Sequence, residues 1–125
     1  MLEPDICVIG AGSGGLTVAA AAAAFGVPVV LIERGRMGGD CLNYGCVPSK
    51  ALIAAGKRAE AFRTAGRFGI ASREPEIDFA AVNAHLRGVI ETIAPNDSVE
   101  RFEGLGVRVV QADARFVDAR TVEAG

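Results

Sequence analysis

Short apolar runs closed by glycine punctuate the chain, and their spacing predicts alternating strands and helices. Asp5 to Ile9 (DICVI) is apolar and partly β-branched, and Gly10 closes it, which predicts a buried strand. Leu16 to Phe25 predicts an alanine-rich helix, with Gly26 placed as its C′ residue. Val27 to Ile32 (VPVVLI) predicts a second buried strand, in which Pro28 sits at the first position without costing a ladder bond. Together these form a βαβ unit, whose crossover is expected to be right-handed. Gly35 to Val47 reads as a glycine- and cysteine-rich loop, and a helix is expected from Pro48 to about Arg67. Pro48 is tolerated in a first turn, and Gly56 weakens that helix without ending it. After a loop over Phe68 to Ile77, Asp78 is placed to cap a third helix. Phe79, Val82, Leu86, Val89, Ile90 and Ile93 recur on one face of it. Pro95 breaks or kinks this helix, Asn96 to Glu103 resumes it, and Gly104-Leu105-Gly106 is a turn. Val107 to Val110 predicts a third strand, and Cys7, which sits inside the first strand, is expected to be a buried core residue. Ala112 to Val117 and Thr121 to Glu123 predict a hairpin across Asp118-Ala119-Arg120. The expected class is α/β, a Rossmann-like parallel sheet with a small β hairpin.

Composition narrows this picture. At 125 residues the chain is at most one domain, half of it hydrophobic, with a mean hydropathy of +0.32. Thirteen basic and 15 acidic residues are well mixed, for a formal charge of −2. There is no basic stripe interleaved with aromatics, so nucleic acid is not an expected partner. No positive charge precedes the first apolar run, which argues against a secretory leader. The alanine series Ala19 to Ala24 is far short of the ~20 residues a membrane-spanning helix needs. Three cysteines are too few for a disulfide scaffold, and a cytoplasmic protein is expected.

Gly10-Ala11-Gly12-Ser13-Gly14-Gly15 contains GxGxxG, after a strand and at the opening of a helix. The first glycine permits the tight turn, the second lets backbone approach a pyrophosphate, and the third lets helix and strand pack closely. The helix N-terminus offers free N–H groups and the positive end of a dipole. Glu33 ends the second strand, 18 residues after Gly15, where a carboxylate can accept from ribose hydroxyls and would repel a 2′-phosphate. The pattern predicts a bound dinucleotide.

Cys41 and Cys46 stand in the run Gly38-Gly39-Asp40-Cys41-Leu42-Asn43-Tyr44-Gly45-Cys46-Val47-Pro48-Ser49-Lys50. Two thiols this close can close a small loop, and one can meet a substrate while the other resolves the mixed disulfide. Backbone dipoles at the start of the Pro48 helix favour a thiolate at Cys46, and Lys50 lies one helical turn on. The alternatives are two small buried hydrophobes or a metal site, for which no second ligand cluster is present. His85 has no ionisable partner that would suggest catalysis. Arg34 and Arg36 read as solvated loop charges, and Tyr44 lies inside the redox loop.

Asp5 to Gly15, Val29 to Glu33 and above all Gly38 to Leu52, with its CxxxxC loop followed by Val-Pro-Ser-Lys, resemble the N-terminal part of the class I pyridine nucleotide–disulfide oxidoreductases. The resemblance covers essentially the whole chain. It implies that the dinucleotide is FAD, with Gly10, Gly12, Ser13, Gly14 and Gly15 at its pyrophosphate and Glu33 at its adenosine ribose. It implies that Cys41 is the interchange thiol, that Cys46 is the charge-transfer thiol beside the flavin, and that Lys50 lies near flavin N5. Gly39 and Asp40 match positions lining the FAD, although family members often carry Thr where this chain has Asp40. Ala114 matches a backbone contact to adenine. The resemblance further implies electron transfer between NAD(P)H and a disulfide or thiol substrate and a homodimer in the full-length enzyme, while the residues themselves lead us to expect no metal and no membrane. Ser49-Lys50 looks more like the dihydrolipoamide dehydrogenase and mercuric reductase branches. By the same resemblance, residues 1–125 are the N-terminal part of an FAD-binding domain, incomplete, with the NAD(P)-binding and C-terminal interface domains absent. Such a piece is expected to show no NAD(P)H-driven turnover and poor solubility as a lone monomer. The alternative is a dinucleotide-binding module, or a truncated product, without catalysis.

Overall fold

The structure is a computed structural model that describes all residues, 1–125. Its framework is a parallel sheet of β1 (Ile6–Ile9), β2 (Val29–Glu33) and β3 (Arg108–Gln111) in the order β1-β2-β3. Ile6 pairs with Val29, and Val30 with Arg108. The central strand β2 is buried from Val29 to Ile32, as its unbroken apolar run requires. Helix α1 (Ser13–Ala24) lies on one face, where the small Ala19 and Ala22 allow close approach beside Leu16. Val29, Leu31, Val107, Val109 and Phe102 complete this core. Phe102 belongs to α5 (Val99–Gly104) and is 1% exposed.

Both helices that deliver the chain into a neighbouring strand end in the same way. Gly26 has φ +72°, its N–H donates to the Ala23 carbonyl at 2.9 Å, and Val27 N–H donates to the Ala22 carbonyl at 3.0 Å. Gly106 has φ +92°, with the equivalent bonds from Gly106 to Glu103 at 2.9 Å and from Val107 to Phe102 at 3.0 Å. This is the Schellman closure, in which a left-handed glycine lets two orphan carbonyls find donors. The sequence places Gly26 in this role, whereas its Gly104-Leu105-Gly106 turn starts inside the last turn of α5.

Three expectations are corrected. β1 is an edge strand rather than a buried one. Its Ile6 and Val8 pack on the core, while Cys7 is exposed and Ile9 is 48% exposed on the opposite face. Strand alternation puts neighbouring side chains on opposite faces, and no helix here covers the second face at β1. Cys7 is therefore not a core residue. The segment Gly35 to Val47 is not all loop, because it contains α2 (Gly39–Asn43). Finally, α3 (Cys46–Thr64) starts at Cys46, two residues before Pro48, and a 3₁₀ turn over Ala65–Phe68 completes it.

Asp78 does cap α4 (Phe79–Ile93), accepting from Ala81 N–H at 3.1 Å. The apolar stripe of α4 packs against α3 but no residue of α4 is fully buried, and Phe79 is 63% exposed. A 3₁₀ turn over Ala94–Asp97 carries Pro95 at the expected break. The loop before α4 is tied to α3 by Arg63, whose Nε and Nη2 donate to the Glu74 carboxylate at 2.6–2.9 Å. The hairpin is β4 (Ala114–Phe116) with β5 (Val122–Ala124), antiparallel, and Arg115 pairs with Glu123 across it.

Candidate functional site

The site is built where β1 meets α1. Gly10 has φ +99°, a conformation that side chains rarely adopt, and its N–H donates to the Ile32 carbonyl at 2.7 Å. Gly15 is where helix and turn touch, since a Cβ there would stand 1.9 Å from the Gly10 carbonyl oxygen. A Cβ on Gly12 or Gly14 would meet no protein atom within 4 Å, so these glycines leave the space over the turn open. Gly12 is the N-cap of α1 and no side chain accepts from the first-turn N–H groups. Donors aimed outward, with side chains withdrawn around them, suit the pyrophosphate of a dinucleotide.

Glu33 is engaged by the protein itself. One carboxylate oxygen accepts from Ala11 N–H and the other from Gly35 N–H, each at 2.6 Å. Its backbone carbonyl accepts from Ala112 N–H at 3.0 Å, which brings the hairpin and the half-buried Ala114 to the end of β2. Arg34 and Asp113 approach to 4.0 Å at this edge, both well exposed.

The cysteine segment lies directly on the glycine turn. Gly38 N–H donates to the Ala11 carbonyl at 2.9 Å, and a Cβ on Gly39 would come within 2.7 Å of the Gly12 Cα. Gly38 (φ +89°) and Gly39 (φ +58°) are both left-handed, and this permits the sharp entry into α2. The Asn43 amide donates to the Met37 carbonyl at 3.1 Å and to the Gly39 carbonyl at 2.9 Å, closing the segment on itself. Cys41 is central in α2 and half-buried, Cys46 opens α3 and is exposed, and both are free thiols. Gly45 turns the chain between them, and its carbonyl accepts from Ser49 N–H at 3.0 Å. Lys50 stands one turn into α3, exposed. Asp40 is exposed in the first turn of α2.

The thiols sense each other. A hydrogen bond with the Cys46 side chain holds the Cys41 thiol above its ordinary value, and partial desolvation and negative charge on Cys46 act in the same sense. The Cys46 backbone N–H and the Lys50 charge oppose this. Cys41 also lines a cavity of about 340 Å³, walled by Ser13 and Thr17 of α1, Val47, Ile93 and Arg101. The structure thus brings together Gly10, Gly12, Ser13, Gly14, Gly15, Glu33, Gly38, Gly39, Cys41, Cys46 and Lys50. Ile93, Asp97 and Arg101 join the cavity from a distant stretch that carries no short motif. His85 lies apart, on a groove of about 840 Å³ between α3 and α4. No group of three or more His, Cys, Asp or Glu residues could hold a metal, and no helix is long and apolar enough to cross a membrane.

Known proteins resemble this chain over nearly its whole length. Residues 4–125 match the family model described as pyridine nucleotide-disulphide oxidoreductase. The chain is 41% identical over 122 residues to a dihydrolipoyl dehydrogenase of Geobacillus stearothermophilus, an alignment covering 97% of this chain and 26% of that protein. It is 39% identical over 121 residues to the dihydrolipoyl dehydrogenase of Bacillus subtilis (97% of this chain, 26% of the relative). It is 37% identical over 120 residues to a mercuric reductase of Streptomyces lividans (95% of this chain, 25% of the relative). The chain therefore spans about a quarter of the length of the curated relatives it matches. A glycine turn that presents free N–H groups, with a dithiol segment seated against it, and a family match over residues 4–125 lead to one conclusion: the chain belongs to the pyridine nucleotide-disulphide oxidoreductase family.

Proposed function

We infer that this chain is the FAD-binding, thiol-bearing part of an enzyme that passes electrons between NAD(P)H and a disulfide or dithiol. The observation that carries the reading is the seating of the Cys41 segment on the glycine turn, through Gly38 N–H to the Ala11 carbonyl and Gly39 against Gly12. FAD, when bound, supplies two-electron chemistry between a nicotinamide and the Cys41–Cys46 pair. Gly12, Ser13, Gly14 and Gly15 would hold its pyrophosphate, Glu33 its ribose, and Gly39, Asp40 and Ala114 its flanks.

In the reduced pair, the Cys41 thiolate attacks one sulfur of the substrate disulfide. A mixed disulfide forms and the first substrate thiol leaves with a proton. The Cys46 thiolate then attacks the Cys41 sulfur, forming the Cys41–Cys46 disulfide and releasing the second thiol. Cys41 suits the first step because it faces the cavity, whose walls are mainly apolar with Arg101 and Asp97 among them. Lys50 stabilises thiolate charge from one turn into α3. The reading requires that bound cofactor cover the exposed Cys46. Lipoamide, another disulfide or a mercuric ion would use the same pair, and the full-length protein is read as a homodimer.

Absorbance tests this. Chain loaded with FAD and reduced without oxygen should show a long-wavelength thiolate–flavin band that Cys46→Ala lacks, and FAD should protect Cys46 from alkylation. A chain that rejects FAD, or a band that survives in Cys46→Ala, would overturn it and favour a module without turnover.

A further inference from the structure

Glu33 does more in this chain than face a ribose. Both its oxygens hold backbone N–H groups at 2.6 Å, Ala11 on the glycine turn and Gly35 beyond β2. Ala11 is fully buried, and its carbonyl accepts from Gly38 N–H at 2.9 Å. Gly38 is the N-cap of α2, whose middle residue is Cys41. One buried residue is therefore pinned on its amide side by Glu33 and on its carbonyl side by the segment that delivers Cys41. We propose that Glu33 is a positioning residue of the thiol pair, acting through Ala11 and Gly38 to fix the entry to α2 whether or not a nucleotide is bound.

The chemistry of the acceptor supports this. An ionised carboxylate is acceptor-only and takes two backbone donors at once, and such charge-assisted bonds are about twice as strong as neutral ones. Glutamine at the same place has one acceptor oxygen, so its NH₂ group must confront either Ala11 N–H or Gly35 N–H. The path from Glu33 to α2 is a short run of direct hydrogen bonds, so the coupling has a physical carrier.

The structural step rests on Glu33 geometry alone. Only its consequence for the thiols rests on the redox reading above. Amide hydrogen exchange and thiol–disulfide equilibrium in glutathione buffers, both without FAD, test it in Glu33→Gln. The expected result is exchange faster by about tenfold or more at Ala11, Gly35 and Gly38, with the amides of α4 unchanged. The equilibrium constant for closing the Cys41–Cys46 disulfide should shift by about threefold or more. Should Glu33→Gln fail to fold, Glu33→Asp keeps the charge but withdraws the oxygens by one methylene, and is read in the same way. Weaker FAD binding with wild-type exchange at Gly38 and a wild-type thiol equilibrium would make Glu33 a ribose ligand only. Faster exchange spread evenly over the chain would also count against the proposal. If wild type never binds FAD the flavin reading fails, while these two measurements still decide the role of Glu33.

Discussion

Gly39 stands on Gly12 so closely that a single added carbon would reach 2.7 Å from the Gly12 Cα. The two glycines come from separate motifs, one read as a nucleotide turn and the other as the approach to a dithiol. Their contact makes the motifs one site.

Gly39→Ala is accordingly expected to push the cysteine segment off the turn. The left-handed φ of +58° adds backbone strain to the clash. A loss of about 1–3 kcal/mol is expected by urea denaturation, with weaker FAD retention. Unchanged stability and cofactor binding would show that the contact relaxes freely.

Gly15→Ala should be worse. Its Cβ would fall 1.9 Å from the Gly10 carbonyl oxygen and 3.1 Å from a Val8 methyl, both in the βα junction, where backbone cannot swing aside. A loss of about 3 kcal/mol or more is expected from thermal unfolding, or no folded protein. A near-native melting temperature would refute the close helix–strand approach.

Cys46→Ala should lower the pH at which Cys41 reacts. Removing the Cys46 side chain removes the hydrogen bond and the charge that raise the Cys41 thiol, while the opposing backbone N–H and Lys50 remain. The iodoacetamide rate at Cys41, followed by peptide mass mapping, should rise with pH earlier than in wild type. A profile that stays put or moves upward would sink the assignment. The raised thiol also has a stability sign. Native protein holds the Cys41 proton more tightly than unfolded chain, so its contribution is present below the ordinary thiol range and is lost as pH rises through the raised value.

Arg63 holds Glu74 below the usual carboxylate range, mainly by their hydrogen bond. The sign here is the reverse: the contribution is present above the ordinary carboxylate value and is lost as pH falls through the lowered one. Glu74→Gln should loosen the loop before α4 and speed limited proteolysis there at neutral pH. Wild type should show the same sensitivity only in acid. Equal cleavage of both proteins at neutral pH would remove the pair from the account.

Much of this was legible from residues. Apolar runs bounded by Gly10, Gly26 and Gly106 marked the strand and helix junctions, and Asp78 marked the start of α4. Glu33 marked the end of the second strand. Three things were not legible. Helix α2 escaped because Gly38 and Gly39 look like loop residues until the Ala11 carbonyl and the Asn43 amide are seen to hold them. Cys7 reads as a core residue because an apolar run does not say whether a second layer covers its strand. The grip of Glu33 on Ala11 depends on two segments 22 residues apart meeting at a 2.6 Å bond, which no local pattern records.

The outward face of β1 has a practical consequence. Cys7 sits on an edge strand with its thiol in solvent, beside the half-exposed Ile9. In air, two such chains can cross-link through Cys7 alone and run as a covalent pair on a non-reducing gel. That species would mimic subunit assembly and distort every count of reactive sulfur. Measurements of oligomeric state and of redox stoichiometry on this protein therefore call for a Cys7→Ser background, in which any remaining pair or titratable sulfur reports on the rest of the molecule.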